Sequence, residues 1–88
     1  SVYDEFSIWY ASNDQSPEDA LSDTELRENL VEALKTLPER EAMLVQLYYV
    51  EELNVYEIAE VLEITTGRVS QIKKSAISRL REFIQKID

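Results

Sequence analysis

Residues 55–74 read VYEIAEVLEITTGRVSQIKK. Apolar side chains recur at Ile58, Leu62, Ile64, Val69 and Ile72, with the small Ala59 beside the first. This spacing predicts two short helices crossed over a tight turn, where Ala59 lets the second helix approach the first. Asn54, with Glu57 three residues later, forms a capping box for the first of them. Thr65 caps the second, which is expected to run to about Gln85. The layout is that of a helix-turn-helix, whose second helix enters the DNA major groove. An ordinary antiparallel helix pair in a bundle would share part of the pattern.

Working outward, Ser16-Pro17-Glu18-Asp19 carries a capping hydroxyl, a proline at the first helical position and acids in the first turn. Leu21, Leu26, Leu30, Ala33, Leu34 and Leu37 supply the apolar stripe of the helix that follows. A second start signal at Ser22 leaves a break there open. Pro38 begins the next helix, PEREAMLVQLYYV, expected to bury Met43, Leu44, Leu47 and Tyr48. Residues 1–15 have no sustained period and read as a linker or tail before a domain spanning residues 16–88. Tyr3, Phe6, Ile8, Trp9 and Tyr10 make that tail unusually apolar, so part of it is expected either to fold back onto the domain or to dock elsewhere. No strand pattern or internal repeat occurs. The expected fold is all-α, a four-helix domain ending in a helix-turn-helix with a long recognition helix.

The charge is unevenly placed. The chain of 88 residues has a net charge of −9, which argues against a uniform nucleic-acid binder. Residues 1–63 hold 16 acids and 3 bases, a net of −13, whereas residues 64–88 hold 2 acids and 6 bases, a net of +4. The six are Arg68, Lys73, Lys74, Arg79, Arg81 and Lys86, all on the last helix. A local basic stripe can neutralise phosphates on an acidic protein, although the overall field weakens binding.

Projected at about 100° per residue, the last helix turns Val69, Ile72, Ala76, Leu80 and Phe83 to the core. Gly67, Gln71, Lys74 and Ser78 lie opposite. Base edges are usually met by residues near the start of a recognition helix, so Thr66, Arg68, Ser70 and Gln71 are the candidate readers. Gln pairs bidentately with adenine, Arg with guanine, and a Thr methyl touches thymine. Lys73, Lys74, Arg79 and Arg81 sit further along and suit phosphate contacts. A solvated polar face is the plain alternative for each.

Other chemistry is poorly supported. The chain has no histidine and no cysteine, so it lacks the commonest general base and any thiol-ligated metal or disulfide. Gly67 stands alone and makes no phosphate loop. No enzyme activity, metal or cofactor is expected. No apolar run approaches membrane-spanning length, and a cysteine-free chain is compatible with the cytoplasm. The only methionine is Met43, so a piece of a longer protein is expected.

The run LPEREAMLVQLYYVEELNVYEIAEVLEITTGRVSQIKKSAISRLR resembles region 4 of the bacterial sigma-70 family of transcription initiation factors. The resemblance rests on Leu37-Pro38 with Arg40-Glu41, Glu57-Ile58-Ala59, Arg68-Val69-x-Gln71-Ile72, and Ala76 with Arg79-Leu80-Arg81. Within the family the chain is most similar to flagellar-type factors. The resemblance implies a non-enzymatic module that reads the promoter −35 element and docks on the flap of the RNA polymerase β subunit. It also implies capture by an anti-sigma factor. The family's reading positions fall on Thr66, Arg68, Ser70 and Gln71.

A partner surface is expected from apolar side chains the bundle cannot cover: Tyr48, Tyr49, Val50 and Leu53 near the second helix's end, with Leu26 and Val31 on the first. Leu44 and Leu34 are also candidates, although core burial is the stronger reading for both. Two departures from the family pattern stand out. Gly67 lies where relatives carry a polar side chain, and Glu63 lies where many such turns have glycine. The rival readings are a helical protein-interaction or adaptor domain and the DNA-binding half of a response regulator. The Arg68-Val69-Ser70-Gln71-Ile72 run and the SAISRLREF ending favour the sigma reading over the response regulator, and the basic last helix favours it over the adaptor domain.

Overall fold

The computed structural model describes residues 2–12 and 20–86, the last two as backbone. Five α-helices follow in order: α1 Val2–Ser12, α2 Asp23–Lys35, α3 Glu39–Val45, α4 Val55–Leu62 and α5 Thr66–Lys86. A π-helical segment, Gln46–Val50, prolongs α3.

Ser22 starts α2. Its hydroxyl accepts from Glu25 N, and the Glu25 carboxylate accepts in turn from Ser22 N. These two bonds satisfy amides that the first helical turn leaves without partners. The start signal at Ser22 is therefore the one that α2 uses, and the start signal at Ser16 falls outside the described residues. Pro38 takes the cap position one residue before α3, a boundary shift of the usual size.

Two apolar clusters form the core, and α3 is wedged between them. Leu44 belongs to the smaller one, with Ile58, Ala59, Val69 and Ile72. Its neighbour Val45 belongs to the larger one, with Phe6, Leu26, Leu30, Ala33, Leu37, Ala76, Leu80 and Ile84. Helix α5 crosses both, giving Val69 and Ile72 to the first and Ala76, Leu80 and Ile84 to the second. Each fully buried aliphatic side chain contributes roughly 1.5–3 kcal/mol. Helix α5 is thus anchored along most of its length.

Several expectations change. Residues 2–12 form a helix, and Phe6 is 2% exposed inside the larger cluster. Met43 is 44% exposed, because the buried stripe of α3 is Glu41, Leu44 and Val45. Met43 lies about 200° around the helix from both Glu41 and Val45. Leu26 is 3% exposed, which removes it from any partner surface. Phe83 is only half-buried, and Ile84 takes the deepest place on that last turn.

Both turns flanking α4 place a glutamate in the left-handed region. Glu52 has φ 58° and Glu63 φ 57°. After α4, Glu63 N donates to Glu60 O at 3.3 Å and Ile64 N to Ala59 O at 3.0 Å. Those are the two bonds of a Schellman closure, with Ile64 returning to the cluster that holds Ala59. The turn after the π segment is one residue wider, with Leu53 N bonded to Leu47 O at 3.0 Å.

Candidate nucleic-acid interface

The start of α5 stands clear of the protein. Thr66, Gly67, Arg68, Ser70, Gln71 and Lys74 are all exposed, while Val69 and Ile72 on the opposite side are buried. Thr65 Oγ1 accepts from Arg68 N at 3.1 Å, so the first turn is fixed by a side-chain cap. Arg68 Nη1 donates to Gln71 Oε1 at 3.4 Å. The four proposed readers therefore lie on the first two turns of α5, with the Arg68 guanidinium and the Gln71 amide side by side. A Cβ at Gly67 would meet only Thr65 Oγ1, at 3.9 Å, so packing does not demand glycine there.

Helix α4 supports this end from behind. Asn54 Oδ1 accepts from Glu57 N at 2.9 Å, and Glu57 Oε1 accepts from Asn54 N at 3.0 Å. Ile58 and Ala59 pack against Val69 and Ile72, and the small Ala59 gives the close helix approach.

The four expected phosphate ligands separate into different environments. Lys74 is exposed. Lys73 is half-buried, with Nζ 3.9 Å from the Tyr48 ring centroid. Arg79 pairs with the buried Glu41: Nε donates to Oε2 at 3.2 Å and lies 3.1 Å from Oε1. Ser75 Oγ donates to the same Oε2 at 3.0 Å. Arg79 is thus a tie between α5 and α3. Arg81 lies over the Trp9 ring of α1, 5.3 Å from its centroid. Lys73, Lys74 and Arg81 nonetheless border one open trough of about 350 Å³ with Ser70 and Ser78.

The expected partner residues are also divided. Val31 and Val50 are 47% and 64% exposed. Tyr48, Tyr49 and Leu53 are half-buried, and Leu44 is fully buried. A second groove of about 350 Å³, mostly apolar, brings together Val2, Val31, Leu34, Val45, Tyr49 and Val50. The contribution of Val2 was illegible in a segment read as a tail. Among the described residues no group of three or more His, Cys, Asp or Glu could hold a metal ion. None of their helices is long and apolar enough to cross a membrane.

A family model described as sigma-70, region 4, matches residues 33–82, from the end of α2 through most of α5. The chain belongs to the sigma-70 region 4 family. It is similar to RNA polymerase sigma factor FliA of Escherichia coli (strain K12), with 48% identity over 73 residues, 83% of this chain and 30% of that protein. RNA polymerase sigma-D factor of Bacillus subtilis (strain 168) is 38% identical over 71 residues, 81% of this chain and 28% of that one. Among solved structures, it resembles a chain of the flagellar sigma/anti-sigma complex Sigma-28/FlgM, with a TM-score of 0.68 and 39% identity. That likeness covers 97% of this chain and 38% of the other. The chain spans about three tenths of the length of the curated relatives it matches. Region 4 membership accounts for the exposed start of α5 and the helix pair behind it.

Proposed function

We propose that this region 4 chain is the promoter-reading and polymerase-docking module of a flagellar-type sigma factor. It reads the −35 element of promoter DNA, acts in the cytoplasm and has no enzyme activity. Residues 16–88 are the reading domain, and residues 1–15 are the segment that joins it to the rest of the factor. The observation that supports this reading is the capped, exposed start of α5, which carries Thr66, Arg68, Ser70 and Gln71. Lys74 and Lys73 beside it suit phosphates, and Arg81 reaches the same trough.

The apolar groove between Val31 and Val50 lies away from these readers and suits an amphipathic helix. RNA polymerase, through its β flap, and an anti-sigma factor are its proposed occupants. Tyr49 lines this groove, whereas Tyr48 and Leu53 pack against the cluster behind the start of α5.

Footprinting of the intact factor on −35 variants tests the reading. Gln71→Ala and Arg68→Ala should each weaken specific binding by about 1–3 kcal/mol and relax discrimination at one base. Lys74→Ala should weaken binding to every sequence alike and flatten the salt dependence. Equal losses on specific and scrambled promoters for Gln71→Ala would show that it reads no base. Chemical-shift mapping with an anti-sigma peptide tests the groove; perturbations confined to residues 66–74 would reject it.

A further inference from the structure

The π-helical segment Gln46–Val50 is closed by Glu51 N on Gln46 O at 3.1 Å. A π turn spans one residue more than an α turn, so its side chains leave the directions that α3 would have given them. Such turns are frequent at functional sites. Here two adjacent tyrosines part company. Tyr49 packs against the larger core cluster and Tyr48 against the smaller one. Their rings meet edge to face with centroids 4.8 Å apart, and the Tyr49 hydroxyl donates to the Glu5 carboxylate. Tyr48 is thus a half-buried ring held by a neighbour that is itself tied down.

Lys73 of α5 lies over that ring, with Nζ 3.9 Å from its centroid. The same lysine lines the open trough with Ser70, Lys74, Ser78 and Arg81, so contact with the ring and access to the trough coexist. A lysine stem is flexible and its ammonium strongly hydrated. Beside Lys74 and Arg81, like-charge repulsion would turn a free Lys73 ammonium away. The negative face of the ring offsets that repulsion and gives the charge a fixed place. A ring meets an ammonium from one side only, and its three N–H donors leave others for a phosphate oxygen. Freedom already given up in the free protein is not lost again on binding.

We propose that Tyr48 is a positioning residue for DNA binding: its ring holds the Lys73 ammonium at the trough, where the ammonium meets a backbone phosphate without leaving the ring. This rests on the DNA-binding reading above. It gives Tyr48, expected from the sequence on a partner surface, a part in the DNA face.

Phosphate contacts carry no sequence information, so a duplex of arbitrary sequence is a sufficient probe. In proton NMR of the chain, the Lys73 Hε resonances should lie upfield, shifted by the Tyr48 ring current, and stay upfield when the duplex saturates it. Loss of that shift at saturation overturns the proposal, because Lys73 would then reach phosphate only by leaving the ring. In fluorescence anisotropy, Tyr48→Leu, once a circular dichroism melt shows it folded, should bind about two- to five-fold more weakly, the worth of a cation over an exposed ring. Tyr48→Phe keeps the ring and should bind as the unaltered chain does. On a Lys73→Ala background, Tyr48→Leu should cost nothing further. The same loss with and without Lys73 would make Tyr48 a packing residue only, and tighter binding by Tyr48→Leu would mean that the ring withholds the ammonium; either result overturns the proposal. Lys74→Ala separates the two ideas. If it weakens binding while a folded Tyr48→Leu chain binds unchanged, DNA binding stands and the positioning role falls. If neither Lys74→Ala nor Lys73→Ala weakens binding, the DNA-binding reading itself fails.

Discussion

Glu63 sits at φ 57° and ψ 46° in the turn between the two helices of the motif. An L-residue other than glycine, asparagine or aspartate pays about 1–2 kcal/mol for that conformation. Its two closing hydrogen bonds and the return of Ile64 to the core hold it there. Asparagine tolerates the left-handed region without the extra unfolded-state freedom of glycine. Glu63→Asn should therefore raise stability by about 0.5–1 kcal/mol, and the melting temperature by a few degrees. An unchanged melt would mean that the glutamate side chain compensates elsewhere. Arg79 offers the opposite case at the same scale. Its Glu41 partner is only 10% exposed at the side chain, while Arg79 itself is 56% exposed, so solvent screening tempers the pair. Arg79→Ala should cost about 1–3 kcal/mol by leaving a nearly buried carboxylate without its cation. The salt slope of DNA binding should stay the same. A flattened slope with an unchanged melt would return Arg79 to the phosphate ligands.

At the scale of elements, what the sequence made legible followed from local rules. The capping boxes at Ser22 and Asn54, the Thr65 cap and the α5 stripe of Val69, Ile72, Ala76 and Leu80 all depend on residues within a turn or two. Helix α1 escaped because it has one buried residue, Phe6, and a partner made of residues far along the chain. Met43 and Leu26 were misplaced for a related reason: apolarity says that a side chain prefers burial, and only the neighbouring helices decide which face obtains it. The exposure of the proposed readers Thr66, Arg68, Ser70 and Gln71 was visible, because an exposed face is what remains once a helix's core stripe is known. The intramolecular partners of Arg79 and Arg81 were not, because Glu41 and Trp9 arrive from other helices. The Ser22 box gives a prediction at this scale. Ser22→Ala should lower stability by about 1 kcal/mol. The hydrogen bonds from the Ser22 backbone and then its hydroxyl hold the Glu25 carboxyl below its ordinary value of 4.5. A lowered folded-state pKa stabilises the fold above the unfolded value and loses that contribution as pH falls through the folded one. In thermal melts the penalty of Glu25→Ala, which removes the carboxylate itself, should accordingly shrink as pH drops below about 4.5. A penalty constant from pH 7 to pH 3 would mean that the carboxylate adds nothing to the cap.

Across the whole molecule, the separation of charge sets how DNA can be met. Residues 64–88 carry +4 and residues 1–63 carry −13, so only an approach led by α5 escapes the repulsion of the rest. The structure then reduces the cations available there. Arg79 is committed to Glu41, and Lys73 and Arg81 lie over the Tyr48 and Trp9 rings, which leaves, among the described residues of α5, Lys74, Arg68 where it does not read a base, and whichever of the two ring-held cations also meets a phosphate. Each phosphate neutralised on duplex DNA contributes about −0.9 to the slope of log affinity against log salt. The chain of 88 residues should therefore show a slope of about −2 to −3, with weak binding at physiological salt. Fluorescence anisotropy on a −35 duplex across a salt series measures it. A slope steeper than about −4 would require Arg79 and Arg81 both to leave their partners on DNA, and the melt of Arg79→Ala would then identify which tie had given way. A module with so few free phosphate contacts gains most from being tethered. Linked to other DNA-binding parts of a longer factor, it acts at the high effective concentration set by the linker. The same Gln71→Ala loss should then be measured on a much tighter overall complex.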